Sequence, residues 1–336
     1  MTTIKKIAEL AQTSVATVSR VINDSGYVSA PLRARIQRVM REAHYQPGAI
    51  AKGLRSGESR LVGVLLPSLD VEFFGILAHA IEQALFSQGY AAFICSTSEN
   101  QAHEERYVNM LLSHRVDGVI VASAHGTGQH IARLAAQRTP VVAIDRALPE
   151  IALTTISVDH EDGGRRMVEH LLSLGHQAIG VVGAPAHSEP IAARLAGIRS
   201  GLAHAGLKLP ARWCSIGTEH RIEACYGLAR KVLGTAPPPT ALIGLSDLAA
   251  IAALHAARDA QLAVPAQLSV IGFDDIPLAA HVVPGLTTIA QPIRAIGERA
   301  VERLLQCIAD KQVHLPPMEL MPLKLVVRGS TRAPGR

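Results

Sequence analysis

The chain has 336 residues, 48% of them hydrophobic and only 3% aromatic, and a formal net charge of +5. That length holds two or three domains with enough apolar material for buried cores. Its apolar runs are too short to span a membrane, and so few aromatics exclude the stacking platforms of RNA-binding domains.

The four cysteines, Cys95, Cys214, Cys225 and Cys307, are scattered without CxxC spacing, which points to reduced thiols and away from zinc. Neither a metal nor a cofactor is expected. The opening MTTIKKIAEL has no apolar signal core and no small-residue cleavage site, so the expected location is the cytoplasm. The charge is concentrated: residues 1–60 carry ten lysines and arginines against four acids, whereas the remainder is net −1. A localised basic patch is the electrostatic footprint of nucleic-acid binding.

The first predicted helix starts at Ile4, with Ile7, Ala8 and Ala11 on the same face and Lys5, Lys6 and Glu9 away from it. Gln12, Thr13 and Ser14 are turn material, and Ser14 is placed to N-cap a helix over 15–22. Val18, Val21 and Ile22 give that helix its apolar face. Val15, Ala16, Thr17, Ser19 and Arg20 lie elsewhere on it, and Asn23 closes the segment. Small residues at the start of such a helix let the backbone approach base edges, and Val15 and Ala16 suit a thymine methyl. Ser14, Thr17 and Ser19 can bond phosphate. A third helix over 31–43 turns Ile36, Val39 and Met40 inward and Arg33, Arg35, Arg38 and Arg41 outward. The pattern is that of a helix-turn-helix entering a DNA major groove; a plain three-helix domain with a solvated basic face is the alternative. Pro47 and Gly48 end the third helix, and a short helix over 49–54 precedes a linker around Gly57. A helix so short orders only against a partner chain or DNA.

From Leu61 onward, apolar strands alternate with amphipathic helices. Strands are expected at 61–67, 91–97, 117–123 and 140–146, with helices at 73–88, 101–113 and 129–137 between them. A second series has strands at 156–159, 178–184, 213–216, 241–247 and 268–275, with helices at 162–174, 190–205, 222–233 and 248–260. Such alternation predicts two doubly wound parallel sheets with a ligand cleft off the carboxyl ends of their strands. Ser68, Asp70, Ser123, Asp145, Arg146, Ser188, Ser246, Asp247, Asp274 and Asp275 lie at or just past those ends. Carboxylates and guanidinium groups converging there suit a polyhydroxylated ligand, because each engages two hydroxyls. The alternative is that these residues cap the following helices, Asp247 and Asp275 above all.

Catalysis finds little support. There is no phosphate loop and no nucleophile elbow, GTGQH at 126–130 lacks a third glycine, and HEDG at 160–163 is not a metal motif. The chain is therefore read as a non-enzyme.

Over nearly its full length the chain resembles the lactose-repressor/galactose-repressor family of bacterial transcription regulators. The segments SVATVSRVIN, YQPGAIAKGLRSG, VDGVIVAS, HLLSLGH, RLAGIRSGL, SVIGFDD, LTTIAQP and LVVRGST carry the resemblance, in the family's order and spacing. It implies an all-α helix-turn-helix DNA-binding domain (1–46), a hinge helix and linker (47–60), and an α/β two-lobed periplasmic-binding-protein-like core (61–336). The lobes would exchange strands, the first taking 61–160 and 290–322 and the second 161–289 and 323–331.

By the resemblance, Val15, Ala16 and Arg20 match base-reading positions, and Leu54 matches a leucine that wedges into the minor groove. Phe73, Asp145, Arg194, Ser246, Asp274 and Gln291 match effector-pocket positions, while Ile222 stands where an aromatic often covers the ligand. Other departures are Gln12 where Gly is usual, Val71-Glu72 for Asn-Pro, and Ser246 where Asn is common. The implied function is a repressor of pseudo-palindromic operator DNA controlled by a sugar, polyol or sugar acid, with a purine as a further possibility. The chain shows no terminal leucine heptad, so a homodimer is expected rather than a tetramer. The rival is a cytoplasmic sugar-binding or sugar-modifying protein without specific DNA binding.

Overall fold

A computed structural model describes residues 2–45, 58–122, 128–146, 148, 151 and 153–335. The predicted hinge at 49–54, with Leu54, and Ser123 lie outside the described residues. The chain divides into two compact units, one of Met1–Leu61 with His114–Asp117 and the other of Val62–Ser113 with Gly118–Arg336.

The first unit holds α1 (Ile4–Leu10), α2 (Val15–Ile22) and α3 (Ala30–Glu42) around a core of Ile7, Ala8, Ala11, Val18, Val21, Ile36 and Val39. Thr3 caps α1 by accepting from the Lys6 N–H, and Ser14 caps α2 by accepting from the Thr17 N–H at 3.1 Å. Between them Gln12 sits at φ 49°, the left-handed region, at a cost of about 1 kcal/mol relative to glycine. One outward cation is reassigned: Arg33 is half-buried and donates to Asp24 at 2.7 Å.

In the second unit, β1 (Leu61–Leu66), β2 (Ala91–Ser96), β3 (Gly118–Val121), β4 (Val141–Ile144) and β5 (Thr154–Val158) alternate with α4 (Glu72–Ser87), α5 (Gln101–Ser113) and α6 (Gln129–Ala136). A second series follows: β6 (Ile179–Gly183), β7 (Cys214–Ile216), β8 (Ala241–Gly244) and β9 (Ser269–Asp274), with α7 (His160–Ser173), α8 (Glu189–His204), α9 (Ile222–Leu233) and α10 (Asp247–Asp259). Then come α11 (Pro277–His281), β10 (Thr287–Ala290), α12 (Ile293–Ala309), β11 (Met318–Met321) and β12 (Lys324–Val326).

The first sheet runs β11-β5-β4-β3-β1-β2 and the second β12-β10-β9-β8-β6-β7. Each defines a lobe, and the chain passes between them three times, after β5, after β10 and after β11. The second sheet is not wholly parallel: β12 joins β10 antiparallel, Ile289 facing Leu325. Strand β11 is parallel to β5.

Fully buried strand residues such as Val64, Ile120, Val142, Val181, Ile243 and Ile271 explain the uninterrupted apolar runs: helices cover both faces. Helices α7 and α8 meet backbone to backbone. A Cβ on Gly164 would fall inside the contact radius of the Arg194 carbonyl, and one on Gly197 inside that of the Glu161 carbonyl. Gly164→Ala is therefore expected to push α7 off α8 and to cost about 1–3 kcal/mol, read from urea denaturation. An unchanged midpoint would show that the helices separate without penalty.

Candidate functional site

In the first unit the outer side of α2 carries Ser14, Val15, Ala16, Arg20 and Asn23 exposed, with Thr17 and Ser19 half-buried. Val15 is 38% exposed, an uncovered apolar residue at a helix start. The Ser14 hydroxyl lies 2.8 Å from that of Thr17, and the Asn23 amide donates to Ser19 Oγ at 3.2 Å. Gly26, at φ 69°, lies against the Arg20 stem, where a Cβ would make ordinary contact at 3.6 Å. The face thus combines small apolar side chains, hydroxyls and a guanidinium at a helix N-terminal half, the inventory for bases and phosphates. Ser14→Ala is expected to cost about 1 kcal/mol through the lost cap, seen as faster amide hydrogen exchange in α2.

In the second unit a cleft opens at the carboxyl ends of the strands. It is a concave site partly open to solvent, with polar and apolar side chains converging on it. Phe73, Asp145, Arg146, Ser188, Arg194, Ser246 and Asp274 all line it. Phe74, next to Phe73, lines it as well, and so do Glu99, Pro185, His187, Ile191 and His220, which the sequence did not single out. Of the positions matched to an effector pocket by resemblance, Ile222 and Gln291 are not in the lining. Ile222, the first residue of α9, is 40% exposed, and His220 two residues earlier is the one that reaches the cleft. Gln291 lies behind the wall and donates its amide to Asp274 Oδ1 at 2.8 Å.

The floor is a line of buried polar groups. Arg194 donates Nη1 to the Leu245 carbonyl at 2.6 Å and stands 3.4 Å from Asp274 Oδ1. Its Nε donates to His160 Nδ1 at 3.2 Å, and its guanidinium lies 3.7 Å over the Phe273 ring. This guanidinium lines the cleft, so a planar donor fork and a carboxylate stand side by side there. Burial alone would raise the Asp145 carboxyl, but His160, the Ser157 hydroxyl at 2.8 Å and Arg194 together hold it below its usual range. Burial pushes Asp274 up against the pull of Arg194 and Gln291.

Ser246 caps α10, and its hydroxyl meets His220 Nε2 at 3.0 Å. Burial, and next the positive charge of Arg194, push His220 down to about 4. Asp247 takes Thr288 Oγ1–H at 2.6 Å and the Ile276 N–H at 2.9 Å, and is pushed up to about 8 by burial and by Asp274. Asp275 does not cap a helix; it pairs with Arg328 at 2.7 Å. Ser68 accepts from the Asp70 N–H at 3.1 Å, and neither residue is in the cleft lining. At the mouth, Phe73 and Phe74 stack edge to face with centroids 5.1 Å apart.

A helix-turn-helix with an uncovered recognition face, carried on one chain with a two-lobed ligand cleft, defines a ligand-responsive DNA-binding regulator. The chain belongs to the lacI family of bacterial regulatory proteins, whose DNA-binding pattern matches residues 3–48 and whose periplasmic-binding-protein-like pattern matches residues 168–331. It is 33% identical to the HTH-type transcriptional repressor PurR of Aliivibrio salmonicida over 98% of this chain and 99% of the relative. Among solved structures it is similar to a lac repressor dimer bound to operator and the anti-inducer ONPF, with a TM-score of 0.88, 30% identity and 99% of each chain covered. It is also similar to a lacI-family regulator from Enterococcus faecium with bound ribose, with a TM-score of 0.73 and 28% identity over 81% of this chain and 99% of that one. No helix among the described residues is long and apolar enough to cross a membrane.

Proposed function

We propose that this regulator is a cytoplasmic homodimeric repressor, without enzymatic activity, whose operator affinity is set by a polyhydroxylated ligand in the interlobe cleft. Arg194 carries that reading: its guanidinium lines the cleft and stands 3.4 Å from the Asp274 carboxylate, so one hydroxyl of a ligand can accept from the first while its neighbour donates to the second. Asp145, Ser246 and Arg146 supply further polar contacts, and Phe73 and Phe74 an apolar edge for a ring face. The buried Arg194 guanidinium already faces the Asp274 carboxylate, which favours a neutral sugar or polyol over a sugar acid.

On DNA, Val15, Ala16 and Arg20 read bases and Ser14, Thr17, Ser19 and Asn23 hold phosphates. Two-fold symmetry imposes an inverted repeat. Leu54, in the hinge, inserts at a deformable central pyrimidine–purine step, with CG expected from the family resemblance. Sugar-type pockets go with induction, so the ligand is expected to weaken operator binding. A tenfold effect equals about 1.4 kcal/mol, and the DNA complex must then bind the ligand tenfold more weakly.

The test is a thermal-shift screen with D-ribose, cellobiose, D-gluconate, glucose 6-phosphate and adenine, followed by operator affinity with and without the compound that scores. Stabilisation by a neutral sugar with a change in operator affinity supports the proposal. Stabilisation by adenine alone, or a cleft ligand that leaves DNA affinity unchanged, overturns it. Loss of no DNA affinity on deleting residues 1–60 would favour a sugar-binding protein instead.

A further inference from the structure

The HEDG segment, which matches no metal motif, has its first residue at the junction of the two lobes. His160 is the first residue of α7, one step past the N-cap Asp159, where the chain leaves β5 of the first sheet. It is nine-tenths buried. Its ring is placed by packing: the close α7–α8 contact through Gly164 and Gly197 sets it beside Arg194, and Phe273 lies under both, 5.9 Å from the imidazole centroid.

A guanidinium has donors only, so the Arg194 Nε–H at 3.2 Å fixes His160 Nδ1 as an acceptor. The ring proton is then on Nε2, which stands 3.1 Å from Asp145 Oδ1. The ring N–H edge therefore faces the carboxylate at close range, and the Ser157 hydroxyl donates to the same oxygen at 2.8 Å. Asp145 comes from the end of β4 in the first lobe, and Arg194 from α8 in the second. The line Asp145–His160–Arg194–Asp274 therefore joins one lobe's carboxylate to the other's through a single imidazole.

We propose that His160 is a positioning residue of the effector cleft: as the Nε2-protonated tautomer it takes the Arg194 Nε–H, fixes the plane of the guanidinium that lines the cleft, and sets its own Nε2–H against Asp145 across the lobe junction. The cleft is the effector site of the preceding section, and the role of His160 rests on that reading. An imidazole is suited to this place because it accepts on one side and donates on the other within one rigid ring. The surrounding charged groups are Asp145 on β4, Arg194 on α8 and Asp274 on β9, with Asp159 and Glu161 as chain neighbours.

The test needs no ligand, so its failure is separate from failure of the sugar screen. The full chain, with 15N in histidine rings and arginine side chains, is observed by long-range 1H–15N correlation at neutral pH. His160→Gln assigns the ring. The expected pattern is a single Nε2-protonated tautomer for His160 and an Arg194 Nε–H protected from exchange with water. His160→Phe is expected to speed that exchange at least tenfold, and His160→Asn, whose Oδ1 stands near the Nδ1 position, to restore most of the protection. An Nδ1-protonated ring, averaging between tautomers, or unchanged Arg194 exchange in His160→Phe overturns the proposal. If His160→Phe does not fold, the tautomer of the unsubstituted chain still decides.

Discussion

Replacing Arg194 by alanine is expected to remove the response of operator binding to any cleft ligand and to destabilise the fold by about 3–5 kcal/mol. Arg194 is only 5% exposed, so its neighbours have no water to turn to. The substitution strips the counter-charge from Asp274 at 3.4 Å, a donor from the Leu245 carbonyl, a donor from His160, and the cation from the face of Phe273. A buried carboxylate left alone is the costly part, since the penalty of losing one partner far exceeds the net worth of the pair.

Arg194→Lys separates charge from geometry. A lysine keeps the positive charge but brings a point donor in place of a fork, so it is expected to recover part of the stability and little of the ligand response. Urea denaturation gives the first quantity and operator titration with the scoring sugar the second. Normal stability and a normal ligand response in Arg194→Ala would mean that the ligand sits elsewhere.

The parts of this site that were legible in the sequence are those that local pattern encodes. Apolar runs of fixed length mark the strands, and the residues just past them, Asp145, Arg146, Ser246 and Asp274, follow from strand polarity alone. Ser14 was readable as a cap because a hydroxyl before a periodic apolar stretch has a local function, and the structure gives it that bond. His160 and His220 carried no such signal. Each matters through partners distant in sequence, Arg194 for one and Ser246 for the other. No periodicity encodes a contact of that kind. The pair Gly163-Gly164 was a partial clue, since small residues at a helix start permit close packing, but it does not say against what.

The late strands were obscure for a different reason. Strand β11 is a sheet edge with Met318 and Leu320 about half exposed, and β12 is a three-residue antiparallel edge. Neither shows the continuous burial that betrays a parallel core strand. Their placement in opposite sheets depends on the three crossings between sheets, a property of topology that local pattern does not encode.

Two groups of the second lobe, His220 half-buried in the cleft lining and Asp247 buried behind it, make the fold's response to acid unusual. His220 has its pKa pushed down to about 4, below its ordinary 6.5, so the unfolded chain takes up a proton there first. Stability from this group is therefore lost as pH falls from about 6.5 toward 4, by up to about 3 kcal/mol at 1.36 kcal/mol per unit. Asp247 has the opposite sign. Its pKa is raised from 3.8 to about 8, so the folded chain holds the extra proton, and its contribution is full below about 3.8 and lost as pH rises through 8.

Between pH 4 and 6.5 the two slopes oppose each other; above 6.5 only the Asp247 slope remains. Comparing variants cancels every other titrating group. Asp247→Asn keeps the shape and removes the raised carboxyl. It is expected to destabilise on acidification more steeply than the unsubstituted chain, while losing less stability between pH 6.5 and 8. His220→Asn is expected to do the reverse, gaining stability relative to the parent as pH falls toward 4. Urea denaturation of the three proteins at half-unit intervals from pH 4.5 to 8 measures both differences. Parallel curves for all three would show that neither group has a shifted pKa in the folded chain.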